Sequence, residues 1–218
     1  MSFSKYKCNE RFFEVPTVTS VYWLGFALGD GCVFTRRRLK HGVEWLFQVK
    51  LHRSAESHLR RLRRDLCYTG RIHHPTDTAS ALVIYSPAIC QSLLAHGMRV
   101  LKTYNGVAVP RLPAGLVLPL AQGAFDANGC AGLCSGHPKV SLSGPSGLPE
   151  WFRAKVATHA TAGRKGCLMT AKEPCHEVSW HGRRIVAPVL QWLLSDTGAP
   201  RLKAKVQQCQ ATLEVCYC

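Results

Sequence analysis

The 218-residue sequence predicts an α+β fold made of two pseudo-symmetric copies of an αββαββα unit. Three observations predict it. Two apolar segments, residues 22–31 (YWLGFALGDG) and 120–129 (LAQGAFDANG), align without gaps. Each is followed by strand-like stretches and then by helical ones. Between the copies stands residues 102–119, interrupted by Pro110, Pro113, Gly115 and Pro119 as a connector is. A repeat decides the reading of the whole fold, and two duplicated units in one chain make a pseudo-dimer.

The first segment, 21–30, reads as a helix ended by Gly31. Residues 32–40 carry Arg36, Arg37 and Arg38 and turn at His41-Gly42 into a period-two strand over 43–52. There Val43, Trp45, Phe47, Val49 and Leu51 alternate with mostly polar neighbours. Ser54, as N-cap, and Glu56 open a helix that ends near Gly70, with Leu59, Leu62 and Leu66 on its apolar side. Its Arg60, Arg61, Arg63 and Arg64 read as a solvated face in preference to nucleic-acid contacts. Strands over 71–74 and 79–85 flank Pro75-Thr76-Asp77, and Ser86-Pro87 starts a short helix that stops before Gly97. The second half repeats the order with strands in 130–144, a helix over 148–161, a hairpin over 165–180 and a helix over 186–194. In this alignment Val140-Ser141-Leu142 corresponds to Val49-Lys50-Leu51. The organisation is an N-terminal arm (1–19), a first repeat (20–101), a linker (102–119), a second repeat (120–207) and a C-terminal tail (208–218).

Lys and Arg number 28 against 13 Asp and Glu, a formal charge of +15, so a polyanion is the expected partner and nucleic acid leads. A generally basic protein or one drawn to anionic lipid is the plainer alternative. No apolar run approaches the ~20 residues of a membrane span, and residues 1–16 lack the apolar stretch of a secretory signal, so an intracellular protein is expected. Eleven scattered cysteines suit reduced thiols better than a disulfide framework. Cys130, Cys134 and His137, with Cys216 and Cys218, fall short of a zinc pattern. Cys175 beside His176 makes a weak nucleophile pair, because strand neighbours face opposite ways.

Gly25 and Gly29 lie one helical turn apart, and Gly123 and Ala127 occupy the matching places, so each motif helix offers a smooth face for close packing. Asp30 follows in the last turn, where the helix dipole disfavours a carboxylate and a cation would relieve it. Read alone, Asp30 closes a turn with Gly31. Beside a pseudo-symmetric partner it becomes a site for Mg²⁺, which prefers carboxylate, carbonyl and water oxygens.

WLGFALGDG (23–31) and AQGAFDANG (121–129), with the order of elements after each, resemble the two motifs of single-chain LAGLIDADG homing endonucleases over residues 20–207. The resemblance implies β-saddles set in the major groove of double-stranded DNA, a monomer, Mg²⁺ or Mn²⁺ as cofactor, and hydrolysis at a long, nearly palindromic intron-insertion site. It makes Asp30, eighth in its motif, a metal-binding acid. It gives Gln48 a part in holding solvent at the scissile phosphate, with Lys139 as its rough counterpart. Lys102 becomes the basic residue near the active site and Lys205 its partner, with Lys203 a near rival. Arg36, Arg37, Arg38, Lys40, Lys50 and His52 become candidate DNA contacts. The departure is Asn128, where the second acid belongs: it offers an oxygen to metal but no charge. Asp126 falls two places earlier and on helical geometry points elsewhere. Strand-biased cutting is therefore expected. The alternative is an inactive nucleic-acid binder such as an RNA maturase, whose partner is intron RNA. A transcription factor on this scaffold would carry a helix-turn-helix domain, for which 208–218 is too short, and an intein-borne nuclease would carry splicing segments.

Overall fold

The computed structural model describes residues 6–38, 42–172 and 174–217, with Arg38 and residues 170–172 described for their backbone alone; Lys40 and His41 lie outside. Helix α1 (Val18–Asp30) starts three residues before the expected 21, because Thr17 and Ser20 form a capping box that satisfies the first N–H groups. Every residue from Ser20 to Gly29 is buried, so this helix has no polar face and its apolar character runs all round. Strands β1 (Gly31–Arg38) and β2 (Gly42–His52) follow. A 3-10 turn over Arg53–Ala55 then leads into helix α2 (Glu56–Asp65). Ser54 is not the side-chain cap expected of it: its N–H and hydroxyl both meet His52 Nδ1, at 3.3 and 2.8 Å. The helix stops at Asp65, short of Gly70, where Cys67 takes a left-handed conformation (φ 50°).

Strands β3 (Ile72–Thr76) and β4 (Ala79–Tyr85) complete an antiparallel sheet of order β1-β2-β4-β3. Helix α3 (Pro87–Ala95) is capped by the Ser86 hydroxyl on the Ile89 N–H. A four-residue helix α4 (Lys102–Asn105) follows. The second motif helix, α5 (Ala114–Asn128), starts well inside the expected linker and runs through Pro119. The proline is tolerated because the bond it removes is the one to the Gly115 carbonyl, in the first turn of the helix at an exposed residue.

Strands β5 (Gly129–Cys134), β6 (His137–Pro145), β7 (Cys167–Lys172) and β8 (Cys175–His181) form a second antiparallel sheet of order β5-β6-β8-β7, around helix α6 (Leu148–His159). Helices α7 (Arg183–Leu194) and α8 (Lys203–Tyr217) end the chain. The expected tail is thus largely helix: α8 lies on α7 and β5 and buries Cys209, Thr212 and Cys216. One hydrophobic cluster spans both halves, and α1 against α5 forms the seam between them.

Strand register sorts the saddle residues by face. Cys32, Gln48 and Val83 are neighbours across the first sheet, as are Val33, Phe47 and Ile84 on the buried side. Alternation puts Arg36, Lys50 and His52 on the open face with Gln48, and Arg37 on the other face near the hairpin end, where it is exposed. In the second sheet Gly129 pairs with Leu142 and Cys130 with Ser141. Ser141, not Lys139, is therefore the positional counterpart of Gln48, and Val140 corresponds to Phe47 where the sequence alignment had Val49. The shorter second hairpin shifts the count, since register follows the turn and not the residue number.

Candidate active centre at the helix pair

Two glycines bring the motif helices into backbone contact. A Cβ on Gly25 would lie 2.1 Å from the Leu120 carbonyl oxygen, and one on Gly123 would lie 1.9 Å from that of Tyr22. The two contacts are equivalent under the repeat, so the helices pack about a pseudo-two-fold axis. One turn further on, a Cβ on Gly29 would meet the Ala127 Cβ at 2.6 Å. This closeness places the ends of the helices, Asp30 and Asn128, side by side. With the Asn128 carboxamide turned so that its nitrogen faces the acid, it donates to Asp30 Oδ1 at 2.7 Å.

Both helices end on carbonyls that no helical N–H reaches, and a lysine approaches each end. Lys102 Nζ donates to the carbonyls of Ala27 (3.1 Å), Leu28 (2.8 Å) and Gly29. Lys205 Nζ donates to the Gly129 carbonyl. Burial pushes the Asp30 carboxyl up to about 6, against the pull of Lys102 and Lys205. Burial likewise takes Lys102 down to about 8, with Asp30 opposing. The acid, the amide and both lysines named from sequence thus meet at one place, and Lys203 stays exposed on the first turn of α8.

The remaining residues named from sequence divide. Gln48 is half-buried, flanked in register by Cys32 and Val83. Lys139 is held by an ion pair to Glu177 at 2.9 Å. Arg36 is engaged by Glu44 (3.0 Å) and lies over the Tyr85 ring, 5.6 Å from its centroid. Lys50 and His52 are exposed, and His52 spends Nδ1 on the turn after β2. Sequence reading missed Tyr85, Glu177 and His181, which share the open faces through strand pairing with no motif to announce them. Arg60 is tied to Glu56 (2.5 Å), with His74 (2.6 Å) and Ser80 (2.8 Å) on the same carboxylate.

Among the described residues no group of three or more His, Cys, Asp or Glu could hold a metal ion. Asp30 therefore supplies one carboxylate ligand for a divalent cation, and the Asn128 oxygen would join it only if the carboxamide turned back and gave up its hydrogen bond to Oδ1. That suits Mg²⁺, which keeps waters and shares substrate phosphates. No helix among the described residues is long and apolar enough to cross a membrane.

The raised Asp30 carboxyl has a consequence for stability. Its folded value near 6 exceeds the ordinary 3.8, so its contribution is fully present below about pH 4 and is lost as pH rises through 6. In chelator, Asp30→Asn should be more stable than the natural protein at pH 8 by on the order of 2 kcal/mol. Urea unfolding should show the difference fading below pH 4. An unchanged gap at both pH values would contradict the burial of the charge.

Two four-stranded antiparallel sheets flanking a close helix pair give this chain the fold of solved LAGLIDADG homing endonucleases. The LAGLIDADG meganuclease I-AabMI, bound to uncleaved DNA, superposes with a TM-score of 0.65 at 14% identity, over 90% of this chain and 89% of that one. I-DmoI in complex with DNA and Ca superposes at 0.61 and 12% identity over 91% and 97%, and the homing endonuclease I-GzeII with its DNA target at 0.60 and 10% over 90% and 89%. No protein-family model and no curated protein matches the sequence.

Proposed function

We propose that the protein is a site-specific DNA endonuclease that hydrolyses phosphodiester bonds at a long, nearly palindromic intron-insertion site, cutting one strand faster than the other. The observation that carries this is the meeting of Asp30, Asn128, Lys102 and Lys205 at the seam between two open sheets. The net charge of +15 supports a polyanionic partner. The similar structures I-AabMI, I-GzeII and I-DmoI are each described with DNA.

In this reading the sheets lie along the duplex, with Lys50, His52 and Arg36 on the open face of the first and Lys139 on that of the second. Asp30 would hold Mg²⁺ or Mn²⁺, joined by the Asn128 oxygen once the carboxamide turns to release its hydrogen bond to the acid. Such an ion supplies activation of water and stabilisation of the leaving oxygen. Lys102 and Lys205 add positive charge beside the phosphate, and the half-buried Gln48 offers hydrogen bonds to solvent there, whereas Ser141 in its place on the second sheet is buried. Asn128 brings no charge, so the two strands meet unequal chemistry.

Selection from a random duplex pool tests this: the protein should enrich one long, near-symmetric sequence and cut it in Mg²⁺. Recovery without sequence preference would contradict it. Lys50→Ala should reduce the magnitude of the salt slope of DNA binding by about one, the signature of a phosphate contact. Arg36→Ala should change it less, because Glu44 already neutralises that guanidinium. If neither variant moves affinity or slope in a salt titration, the first sheet is not the DNA face. Asn128 also favours a second reading, an intron RNA maturase without nuclease activity, which would bind intron RNA tightly and leave intronless DNA whole.

A further inference from the structure

Two buried polar residues in α5 do not belong to the motif's packing face. Gln122 and Asp126 are 0% and 1% exposed, one turn apart, and the repeat puts Leu24 and Leu28 in their places in α1. Burying an amide and a carboxylate is unfavourable unless every polar atom finds a partner. Here all partners but one lie in the stretch 193–202 that joins α7 to α8. Gln122 Nε2 donates to the carbonyls of Leu193 (3.0 Å) and Ser195 (2.8 Å), and the Thr197 hydroxyl donates to Gln122 Oε1 (2.6 Å). Arg201 forks onto Asp126, Nε to Oδ2 and Nη2 to Oδ1, both at 3.0 Å, and the Leu202 N–H donates to Oδ2 at 2.7 Å.

From this stretch the chain enters α8. The Leu202 carbonyl accepts the N–H groups of Lys205 (2.9 Å) and Val206 (3.1 Å), fixing the first turn, and Lys205 reaches back to the Gly129 carbonyl. The exceptional partner comes from the other half: the Tyr22 hydroxyl donates to Asp126 Oδ2 at 2.8 Å and accepts from His58 Nε2 at 3.0 Å. Burial, then Arg61 and Arg201, takes His58 down to about 3, so it stays neutral, and because the Tyr22 proton goes to Asp126 the Nε2 is the donor of this pair. Lys102 of the first half needs no such arrangement, because α4 lays it directly on the end of α1.

We infer that Gln122 and Asp126 are positioning residues that clamp residues 193–202 so that Lys205 enters the active centre, tied to the first half through Tyr22. This rests on the endonuclease reading. The test compares Asp126→Asn, Gln122→Leu and Lys205→Ala on a duplex with each strand labelled separately, in single turnover. Both clamp variants should slow the same strand that Lys205→Ala slows, by about tenfold to a hundredfold, as expected of a slightly misplaced group. The other strand and DNA affinity should change little. Asp126→Asn combined with Lys205→Ala should add no further loss, because both act through one group. Equal slowing of both strands, or no slowing, would overturn the inference. A natural protein that cuts nothing would instead sink the endonuclease reading. The clamp is then judged by hydrogen exchange: loss of protection at the Leu202, Lys205 and Val206 amides in Asp126→Asn, with α1 still protected, upholds it, and unchanged protection overturns it.

Discussion

Gly123→Leu is expected to be the most destabilising single change at the seam, at about 3 kcal/mol or more. Even the first added carbon would lie 1.9 Å from the Tyr22 carbonyl oxygen, and that oxygen belongs to a helix backbone that cannot step aside without moving the whole of α1. Gly123→Ala should cost roughly 1–3 kcal/mol for the same reason. Gly25→Leu should behave alike, facing the Leu120 carbonyl across the pseudo-two-fold axis. Gly115→Ala is the internal control: it is helical with nothing within 4 Å of the added carbon, and should stabilise by about 0.5–1 kcal/mol. Thermal and urea unfolding measure all four. Unfolding midpoints that leave Gly123→Leu level with the natural protein would mean that the helices do not meet through these glycines.

On the proposed reading, Asp30→Asn should lower cleavage by about a thousandfold or more, the scale of several kcal/mol expected from losing a charge that would hold a cation at the phosphate. DNA affinity should stay nearly the same, since the side chain keeps its size and the sheets are untouched. The substitution also leaves two amides facing each other at 2.7 Å in place of an amide on a carboxylate, which neutral groups tolerate. A gel assay of cutting, set beside a binding titration, separates the two effects. Equal loss of binding and cutting would indicate that Asp30 shapes the fold and does not serve the chemistry.

The helix pair and Asp30 were legible in the sequence because the repeat aligns without gaps and its small residues recur at one-turn spacing. The sheets were legible from alternation, most clearly in β2. Helix α8 was not, because its buried stripe is Cys209, Thr212 and Cys216, residues that carry little hydropathic signal. The start of α5 was hidden by Pro119, which marks a connector in a sequence but sits harmlessly in an early turn of a helix. Lys139 was matched to Gln48 by counting residues, whereas the tight turn at Ser135 and Gly136, both at positive φ, sets a shorter hairpin and brings Ser141 there instead. The clamp did leave a trace: Gln122 and Asp126 stand one turn apart where the first copy has two leucines. That trace named no partner, since Arg201 and Leu202 lie far along the chain.

The asymmetry between Asp30 and Asn128 is the center of the account, and strand-resolved cleavage tests it most directly. A duplex holding the sequence selected from the random pool, each strand labelled separately, would be treated in Mg²⁺ and then in Mn²⁺ with the natural protein and with Asn128→Asp. The natural protein should nick or strongly favour one strand, and Asn128→Asp should bring the slower strand up toward the faster, because a second carboxylate then faces Asp30 across the seam. Equal and rapid cutting of both strands by the natural protein would contradict the account, as would a duplex left whole by both proteins.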